Sequence, residues 1–214
     1  MSSQGLELQE RDISILRLVY CFRFCLGRHI KILCGFSGAR AADRRLKLLV
    51  EAGYLERKKL LYGVPYLYTV SHKGRMLIGV NKRADTLRIE RIMHDSHVLD
   101  SVIFFLGTMN IGLDAIISEK EMHVSDGFGH HRHYPDFVIN APLGAIAVEV
   151  EIALKSKERL EKNIRTNYMD FDFQYWVLGD NPKLNALIKG FQGEYSNLSA
   201  IKLDAVVNYA DNHK

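Results

Sequence analysis

Cysteine is scarce in this chain, and long apolar runs are missing from it. The 214 residues include three cysteines, Cys21, Cys25 and Cys34. An odd count without a Cys-x-x-Cys pair argues against a disulfide framework or a zinc ribbon. No run of about 18 apolar residues occurs, and the N-terminus has no signal-peptide pattern. We therefore expect a soluble, cytoplasmic protein that makes no use of a membrane.

Acidic residues are scarce in the first part of the chain and abundant in the rest. Residues 1–83 contain 16 Lys and Arg against 6 Asp and Glu, a balance of +10, whereas residues 84–214 contain 13 against 19, a balance of −6. The polar, charged stretch 81–85 separates the two parts. The sequence predicts two domains, residues 1–83 and 84–214, and the basic domain indicates a nucleic-acid contact surface.

The first domain has the pattern of three helices followed by a hairpin. Apolar spacing and turn residues predict helices over 9–26, 28–34 and 37–52, and strands over 54–60 and 65–71. Gly53 stands where a left-handed C-terminal residue belongs, and Ser71 is a good N-cap for a further helix. This order is the winged-helix plan, and the stretch from Arg44 to Gly74 resembles many winged-helix domains. We expect an N-terminal winged helix-turn-helix domain.

Basic residues of this domain cluster on two elements. They are Arg40, Arg44, Arg45 and Lys47 on the third helix, and Arg57, Lys58 and Lys59 on the hairpin. In a winged helix the third helix enters the major groove and the hairpin contacts the phosphate backbone. These residues are the candidate DNA-binding set, with double-stranded DNA as the partner and most contacts to phosphates. The alternatives are a solvated helix face and a winged helix that binds only proteins.

Three carboxylates and a lysine converge in the second domain. Residues 145–152 alternate like a well-buried strand, which puts Glu149 and Glu151 on one face. Asp136 opens the preceding strand, a tight turn would make the two strands a hairpin, and Lys155 follows Glu151 by four residues. Oxygen ligands of this kind hold Mg²⁺ or Mn²⁺. The three carboxylates are the candidate metal ligands for phosphodiester cleavage, and Lys155 would balance developing negative charge. The alternative is an edge strand whose two glutamates face solvent.

The stretch from Pro135 to Lys155 resembles the PD-(D/E)xK nuclease superfamily. Pro135-Asp136 followed by Glu149-x-Glu151 is similar to its signature, although Glu151 occupies the usual lysine position. A lysine displaced into the following helix, here Lys155, is a known variation in that superfamily. The resemblance implies a restriction-endonuclease-like α/β domain with a mixed sheet after the winged helix, and so an α+β chain.

The longer string Glu-x-Glu-x-x-x-Lys-Ser-x-x-Arg, from Glu149 to Arg159, is similar to the replication-relaxation family. That family includes the MOBC-type plasmid relaxases, DNA-nicking proteins with an N-terminal winged helix and an Asp, Glu, Glu, Lys site. The resemblance implies that this chain nicks or relaxes DNA at an origin of transfer or replication of a mobile element. A homodimer, and partners among other transfer or replication proteins, are compatible with this role.

Two further acids and a tyrosine are secondary candidates. Glu119 and Glu121 alternate onto one face of a strand predicted over 116–122, from which either would add a carboxylate to the metal site. Tyr168, on a helix predicted over 155–171, is either a nucleophile or, as is more common for such a tyrosine, a core residue.

Histidines form two groups whose roles the sequence leaves open. His94 and His97 lie with Asp100 on a helix predicted over 86–106, where they are either a metal or catalytic cluster or polar residues along a helix edge. The second group is His130 to His133. Structural zinc would need further Cys or His ligands at set spacing, so contact with DNA phosphates near the scissile bond is favoured for this loop.

A non-catalytic protein is the competing interpretation. A winged-helix transcriptional regulator or accessory factor would keep a degenerate nuclease-like domain for dimerisation or partner docking. The Glu149-x-Glu151 pattern supports this alternative, because Glu151 stands where the PD-(D/E)xK signature usually has lysine. Only the nuclease would need a divalent cation for cleavage.

Overall fold

Two sheets, one of three strands and one of five, organise the part of the chain that the structure describes. The computed structural model describes residues 6–60, 62–63, 65–81, 86–127 and 132–213. The chain divides into two compact units, one reaching Leu99 and including His213, the other spanning Asp100–Asn212. The division therefore lies later than the boundary expected between residues 83 and 84.

The first unit combines helices with the three-stranded sheet. Its elements are α1 (Glu10–Cys21), β1 (Cys25–Leu26), α2 (Gly27–Leu33), α3 (Ala39–Glu51), β2 (Leu55–Lys58), β3 (Leu67–Val70), α4 (His72–Leu77), a 3-10 turn (Ile89–Arg91) and the start of α5 (Ile92–Met109). The strands lie in the order β1-β3-β2, and both pairings are antiparallel.

The first helix ends earlier than its apolar pattern indicates. After α1 ends at Cys21, Arg23 adopts a left-handed conformation with φ 67°. Cys25 and Leu26 then form β1, with Cys25 opposite Tyr68 of β3. Both residues of β1 are buried. A short run of apolar residues can form either a buried strand or a buried turn of helix, so the periodicity of the sequence alone does not distinguish the two structures.

The local turn and capping signals of the first unit are confirmed. Gly53 follows α3 with φ 76°, the left-handed conformation expected there. In the hairpin that follows, Leu55 of β2 pairs with Val70 of β3. The Ser71 hydroxyl accepts a hydrogen bond of 3.0 Å from the backbone N–H of Gly74 and caps α4.

The position of Ile92 explains why the units divide within α5. Ile92 is the first residue of α5 and packs in a buried cluster with Phe24, Leu26 and Leu67 of the first unit. The beginning of the helix therefore completes the core of the first unit. Residues from Asp100 onward belong to the second unit.

The second unit is built on the five-stranded sheet. After a 3-10 turn (Leu113–Ala115), its elements are β4 (Ile116–Ser118), α6 (Glu119–Ser125), β5 (Phe137–Ala141), β6 (Gly144–Glu151), α7 (Lys157–Asp170), β7 (Phe173–Leu178), α8 (Pro182–Gln192), β8 (Leu198–Lys202) and α9 (Leu203–Asn212).

The sheet order is β4-β5-β6-β7-β8, with antiparallel pairing among the first three strands and parallel pairing from β6 to β8. Leu160 and Ile164 of α7 and Leu184 and Ile188 of α8 pack in one buried cluster with Trp176 of β7. Apolar helix stripes cover the sheet in this way because they bury surface that water would otherwise solvate. The α+β class with a mixed sheet is confirmed.

The strand expected over 116–122 is only three residues long. β4 ends at Ser118, where a capping box starts α6. The Glu121 carboxylate accepts hydrogen bonds from the Ser118 backbone N–H at 2.9 Å and from the Ser118 hydroxyl at 2.7 Å. The Ser-x-x-Glu pattern is a sequence signal for a helix start, and it prevails here over the alternation of Glu119 and Glu121.

Throughout the described ranges, no helix combines the length and the apolar character that crossing a membrane requires.

Candidate functional site

The β5–β6 hairpin brings Asp136 beside Glu149. Phe137, the first residue of β5, pairs with Val148 of β6, so continuing the same register by one step places Asp136 opposite Glu149. The Asp136 Oδ2 atom accepts a hydrogen bond of 2.8 Å from the backbone N–H of Val150. The hairpin expected from the sequence therefore assembles this pair of carboxylates.

Glu149 is a buried carboxylate with two side-chain hydrogen-bond partners. It is 5% exposed. Its Oε1 atom lies 2.5 Å from His133 Nε2 and accepts a hydrogen bond of 3.0 Å from Asn167 Nδ2. Burial raises the pKa of Glu149, the nearby Asp136 charge raises it further, and the His133 and Asn167 contacts oppose the rise. Both contacts end on Oε1, which leaves Oε2 for another ligand.

Glu151 pairs with Lys155. Glu151 is 4% exposed, and its Oε2 atom forms an ion pair with Lys155 Nζ without a hydrogen bond of regular geometry. Lys155 lies in the loop before α7, whereas the sequence pattern placed it in that helix. The helix begins at Lys157, and Ser156 caps it by accepting a hydrogen bond from the Arg159 N–H at 3.3 Å. The loop position lets the lysine turn back toward the strand end.

His133 and Asn167 are members of the site that the motif does not contain. His133 belongs to the loop for which DNA contact was the favoured expectation, and the structure places its imidazole on Glu149. Asn167 is fully buried and continues the core-facing stripe of Leu160 and Ile164 on α7. An amide at a core position of an amphipathic helix requires a buried hydrogen-bond partner. The position of Asn167 on the apolar stripe is therefore the sequence feature from which its role could have been predicted.

The secondary candidates from the sequence have contacts of their own, apart from the carboxylates of the hairpin. Glu121 serves the capping box of α6, and Glu119 Oε1 lies 3.8 Å from His123 Nε2 within the same helix. His94 Nδ1 is 3.0 Å from Asp95 Oδ1 on α5. Tyr168 is 41% exposed and packs edge-on against the Tyr195 ring. His130 and His131 lie outside the described residues.

The donor set at the hairpin end suits a hard divalent cation. Asp136, Glu149 and Glu151 supply three carboxylates, of which Glu149 is in contact with His133 and Glu151 with Lys155. Two of the carboxylates are buried, where unbalanced negative charge is costly. Oxygen ligands of this kind are those that Mg²⁺ and Mn²⁺ prefer. In the side-chain arrangement of the described residues, however, no group of three His, Cys, Asp or Glu has the geometry of a metal site.

The basic residues of α3 do not all face solvent. Arg40, Arg44 and Lys47 are exposed, and Lys47 Nζ lies 3.7 Å from Glu51 Oε1. Arg45 instead pairs with the buried Asp12, with 2.7 Å between Arg45 Nε and Asp12 Oδ1, and also donates to the Glu7 carbonyl. The Arg45 guanidinium is therefore occupied within the first unit.

The hairpin carries a mixed cationic and aromatic surface. The Arg57 guanidinium lies 4.4 Å from the centre of the half-exposed Tyr66 ring, and Lys59 Nζ lies 5.4 Å from the same centre. Lys58 Nζ is 2.8 Å from Glu56 Oε2. Rings and cations of this kind can contact bases and phosphates together.

Comparison with known proteins adds no relative. No protein-family model, curated protein or solved structure matched the chain.

Proposed function

We propose that this protein is a DNA-binding, divalent-metal-dependent nicking or relaxing protein of a mobile element, acting in plasmid mobilisation or replication. The observation that carries the proposal is the group formed by Asp136, Glu149, Glu151 and Lys155 at one end of the β5–β6 hairpin. The mobile-element role itself comes from the replication-relaxation resemblance. On this proposal the second unit is a PD-(D/E)xK nuclease-like domain.

The proposed DNA-binding module is the first unit, in the role of a winged helix. The order of α1, α2, α3 and the β2–β3 hairpin supports that assignment. Exposed Arg40, Arg44 and Lys47 would contact the duplex, and Arg57, Lys58 and Lys59 of the hairpin would contact its backbone. Arg45 is left out of the proposed contact set because Asp12 holds it.

Each side chain of the site has a distinct proposed task. Asp136, Glu149 and Glu151 would hold Mg²⁺ or Mn²⁺, which supplies Lewis-acid polarisation of the scissile phosphate when bound. His133 and Asn167 hold Glu149 through Oε1 and so orient the carboxylate. Lys155 would exchange its contact with Glu151 for the phosphate and stabilise the charge that develops there.

The direct test is nicking of supercoiled plasmid that carries the protein's own genetic neighbourhood, with Mg²⁺, Mn²⁺ or EDTA. Nicking is expected with either metal and not in EDTA. Glu151→Gln and Lys155→Ala should each lower the rate by about 100-fold or more. The exposed Glu161→Gln and Lys157→Ala are matched controls and should keep the wild-type rate. Failure to nick while DNA binding is retained would refute the enzyme proposal.

The alternative function is a winged-helix transcriptional regulator or accessory factor. The observation that favours it is the existing pairing of the acids, since Lys155 contacts Glu151 and His133 contacts Glu149. A regulator would bind a single DNA site equally well in Mg²⁺ and in EDTA. A regulator would also keep that binding in Glu149→Ala. In the nicking assay, both the wild-type regulator and this variant would be inactive.

A further inference from the structure

The β2–β3 hairpin of the first unit carries two exposed tyrosines. Tyr66, which directly precedes β3, is 45% exposed, and Tyr62, in the turn, is fully exposed. We propose that these two rings stack on the bases of an unpaired DNA strand, so that the β2–β3 hairpin binds single-stranded DNA. The inference rests on the DNA-binding role of the first unit in the proposed function, and it deepens that role by naming a second form of the substrate.

Tyr66 belongs to a stack of aromatic and cationic side chains on one face of this hairpin. Lys58 of β2 pairs with Leu67 of β3, so continuing the register by one step places Lys59 opposite Tyr66. The Arg57 guanidinium lies 4.4 Å from the centre of the Tyr66 ring, and Lys59 Nζ lies 5.4 Å from it. Tyr66 keeps its exposure with both cations in place, which leaves aromatic surface for a base.

Arg57 is held between two tyrosines. It lies opposite Tyr68 in the strand register. Burial raises the pKa of the Tyr68 hydroxyl, and a hydrogen bond that Arg57 donates to this hydroxyl opposes the rise. Tyr68 is buried, whereas Arg57 and Tyr66 are exposed. The guanidinium is therefore anchored on the sheet, and the exposed ring beside it is positioned before a ligand arrives.

The charge of the hairpin favours a nucleic acid over a protein partner. Residues 55–70 include three basic residues, Arg57, Lys58 and Lys59, and one acid, Glu56. The Glu56 carboxylate lies 2.8 Å from Lys58 Nζ, and strand alternation places these two residues on the face opposite Arg57. The face that carries Tyr66 therefore presents the Arg57 cation, and a nucleic-acid strand supplies a phosphate for it beside the stacked base.

A stacking ring selects for unpaired bases. In a duplex the faces of each base are covered by the neighbouring bases, whereas the bases of a single strand can separate and stack on an aromatic side chain. Every base has such a face, so a surface of this kind binds strands without reading their sequence. Nicking and relaxation expose unpaired DNA, which is the form that this surface binds.

The experiment is fluorescence anisotropy with the full chain in EDTA at fixed ionic strength. The probes are a labelled oligothymidylate, an abasic strand of the same length and a duplex of the same length. The oligothymidylate should bind more tightly than the abasic strand, which has the phosphates without the bases. Tyr66→Val should weaken oligothymidylate binding about tenfold, a change typical of one lost base–aromatic stack. It should leave binding of the abasic strand unchanged, and Tyr66→Phe, which keeps the ring, should bind like wild type.

Met76→Ala removes an exposed apolar side chain of α4, outside the hairpin, and should leave every affinity unchanged. Urea midpoints report whether each variant folds. If Tyr66→Val does not fold, Tyr62→Ser takes its place with the same expected loss, because the fully exposed Tyr62 side chain contributes no packing. Equal affinity of wild type for the oligothymidylate and the abasic strand would overturn the proposal, as would wild-type affinity in a folded variant that lacks the ring.

Two further outcomes separate this inference from its alternatives. Self-association that the ring variant abolishes, in a protein that does not bind the oligothymidylate, would identify the surface as a contact between copies of the chain and refute the inference. Strand binding that depends on Tyr66 in a protein that fails to nick would refute the proposed enzyme and leave the inference intact. Nicking by a protein whose strand binding is indifferent to Tyr66 would refute the inference alone.

Discussion

At the scale of single residues, Glu149 shows how a buried carboxylate depends on its neighbours. Burial raises its pKa, the Asp136 charge adds to the rise, and contacts from His133 and Asn167 oppose it. The same contacts fix one oxygen and leave the other for a ligand. The neighbours therefore decide both the charge of this side chain and its orientation.

Asn167→Ala should lower the free energy of unfolding by about 1–3 kcal/mol, because it removes a buried donor from the Glu149 carboxylate. Urea denaturation measures the change. Asn208→Ala on α9 removes an exposed amide and serves as the control. Equal stability of the two variants would show that the Asn167 contact contributes nothing to the fold.

The fully buried Asp12 forms an ion pair with the partly exposed Arg45. Burial of Asp12 opposes its ionisation, but the Arg45 hydrogen bond, together with the Gln9 N–H and the Arg45 charge, lowers the pKa of Asp12 below its ordinary value. A pKa lowered by folding contributes stability above the unfolded-state value, and that contribution is lost as the pH falls through the folded-state value.

Arg45→Met should therefore lower the free energy of unfolding by about 3 kcal/mol at neutral pH, since it leaves a buried carboxylate without its partner. The difference from wild type should shrink as the pH falls through the lowered folded-state pKa of Asp12, because this carboxylate then takes up a proton. Urea titrations at several pH values measure it. Lys47→Met, which breaks an exposed pair with Glu51, should change stability by about 0.5 kcal/mol or less.

At the scale of helices and strands, local signals and tertiary contacts compete. The capping box of Ser118 and Glu121 starts α6 within a stretch whose alternation indicates a strand. Arg23 ends α1 early, and β3 then recruits Cys25 and Leu26 as a strand. In the first case a local hydrogen bond prevails, whereas in the second a partner strand distant in sequence prevails.

Two helical glycines should respond oppositely to alanine. In Gly74→Ala the new Cβ would lie 2.3 Å from the Tyr54 carbonyl oxygen, so α4 must move from the hairpin and stability should fall by about 1–3 kcal/mol. Gly190→Ala in α8 meets nothing within 4 Å and should raise stability by about 0.5–1 kcal/mol. Thermal melts of both variants check the signs. An unchanged melting temperature in Gly74→Ala would mean that α4 is not tightly packed against Tyr54.

At the scale of the whole molecule, the two parts of the chain differ in charge. The basic part of the chain forms the unit with the exposed cations of α3, and the acidic part forms the unit with the paired carboxylates. On the proposed function the first unit binds the duplex by electrostatic attraction, and the second concentrates carboxylates for a cation.

Arg44→Ala should weaken duplex binding, and the slope of log affinity against log salt should fall by about 0.9, the value for one phosphate contact. Fluorescence anisotropy over a salt series in EDTA measures both quantities. Arg17→Ala is the matched control, because it removes an exposed arginine from α1. An unchanged slope in Arg44→Ala would exclude this residue from the DNA surface.

The amino-acid sequence by itself determined the features that depend on near neighbours. The hairpin of Asp136 and Glu149, the left-handed Gly53 and the Ser71 cap all follow from residue type and short-range spacing. The tertiary structure alone decided which side chains meet across the fold. His133 and Asn167 reach Glu149 from 16 and 18 residues away. Asp12 pairs with Arg45, a residue of the predicted DNA-binding set, across 33 residues. Such contacts depend on how strands and helices pack against one another. The periodicity of apolar residues predicts which face of its element a residue occupies, but not which residue packs opposite it.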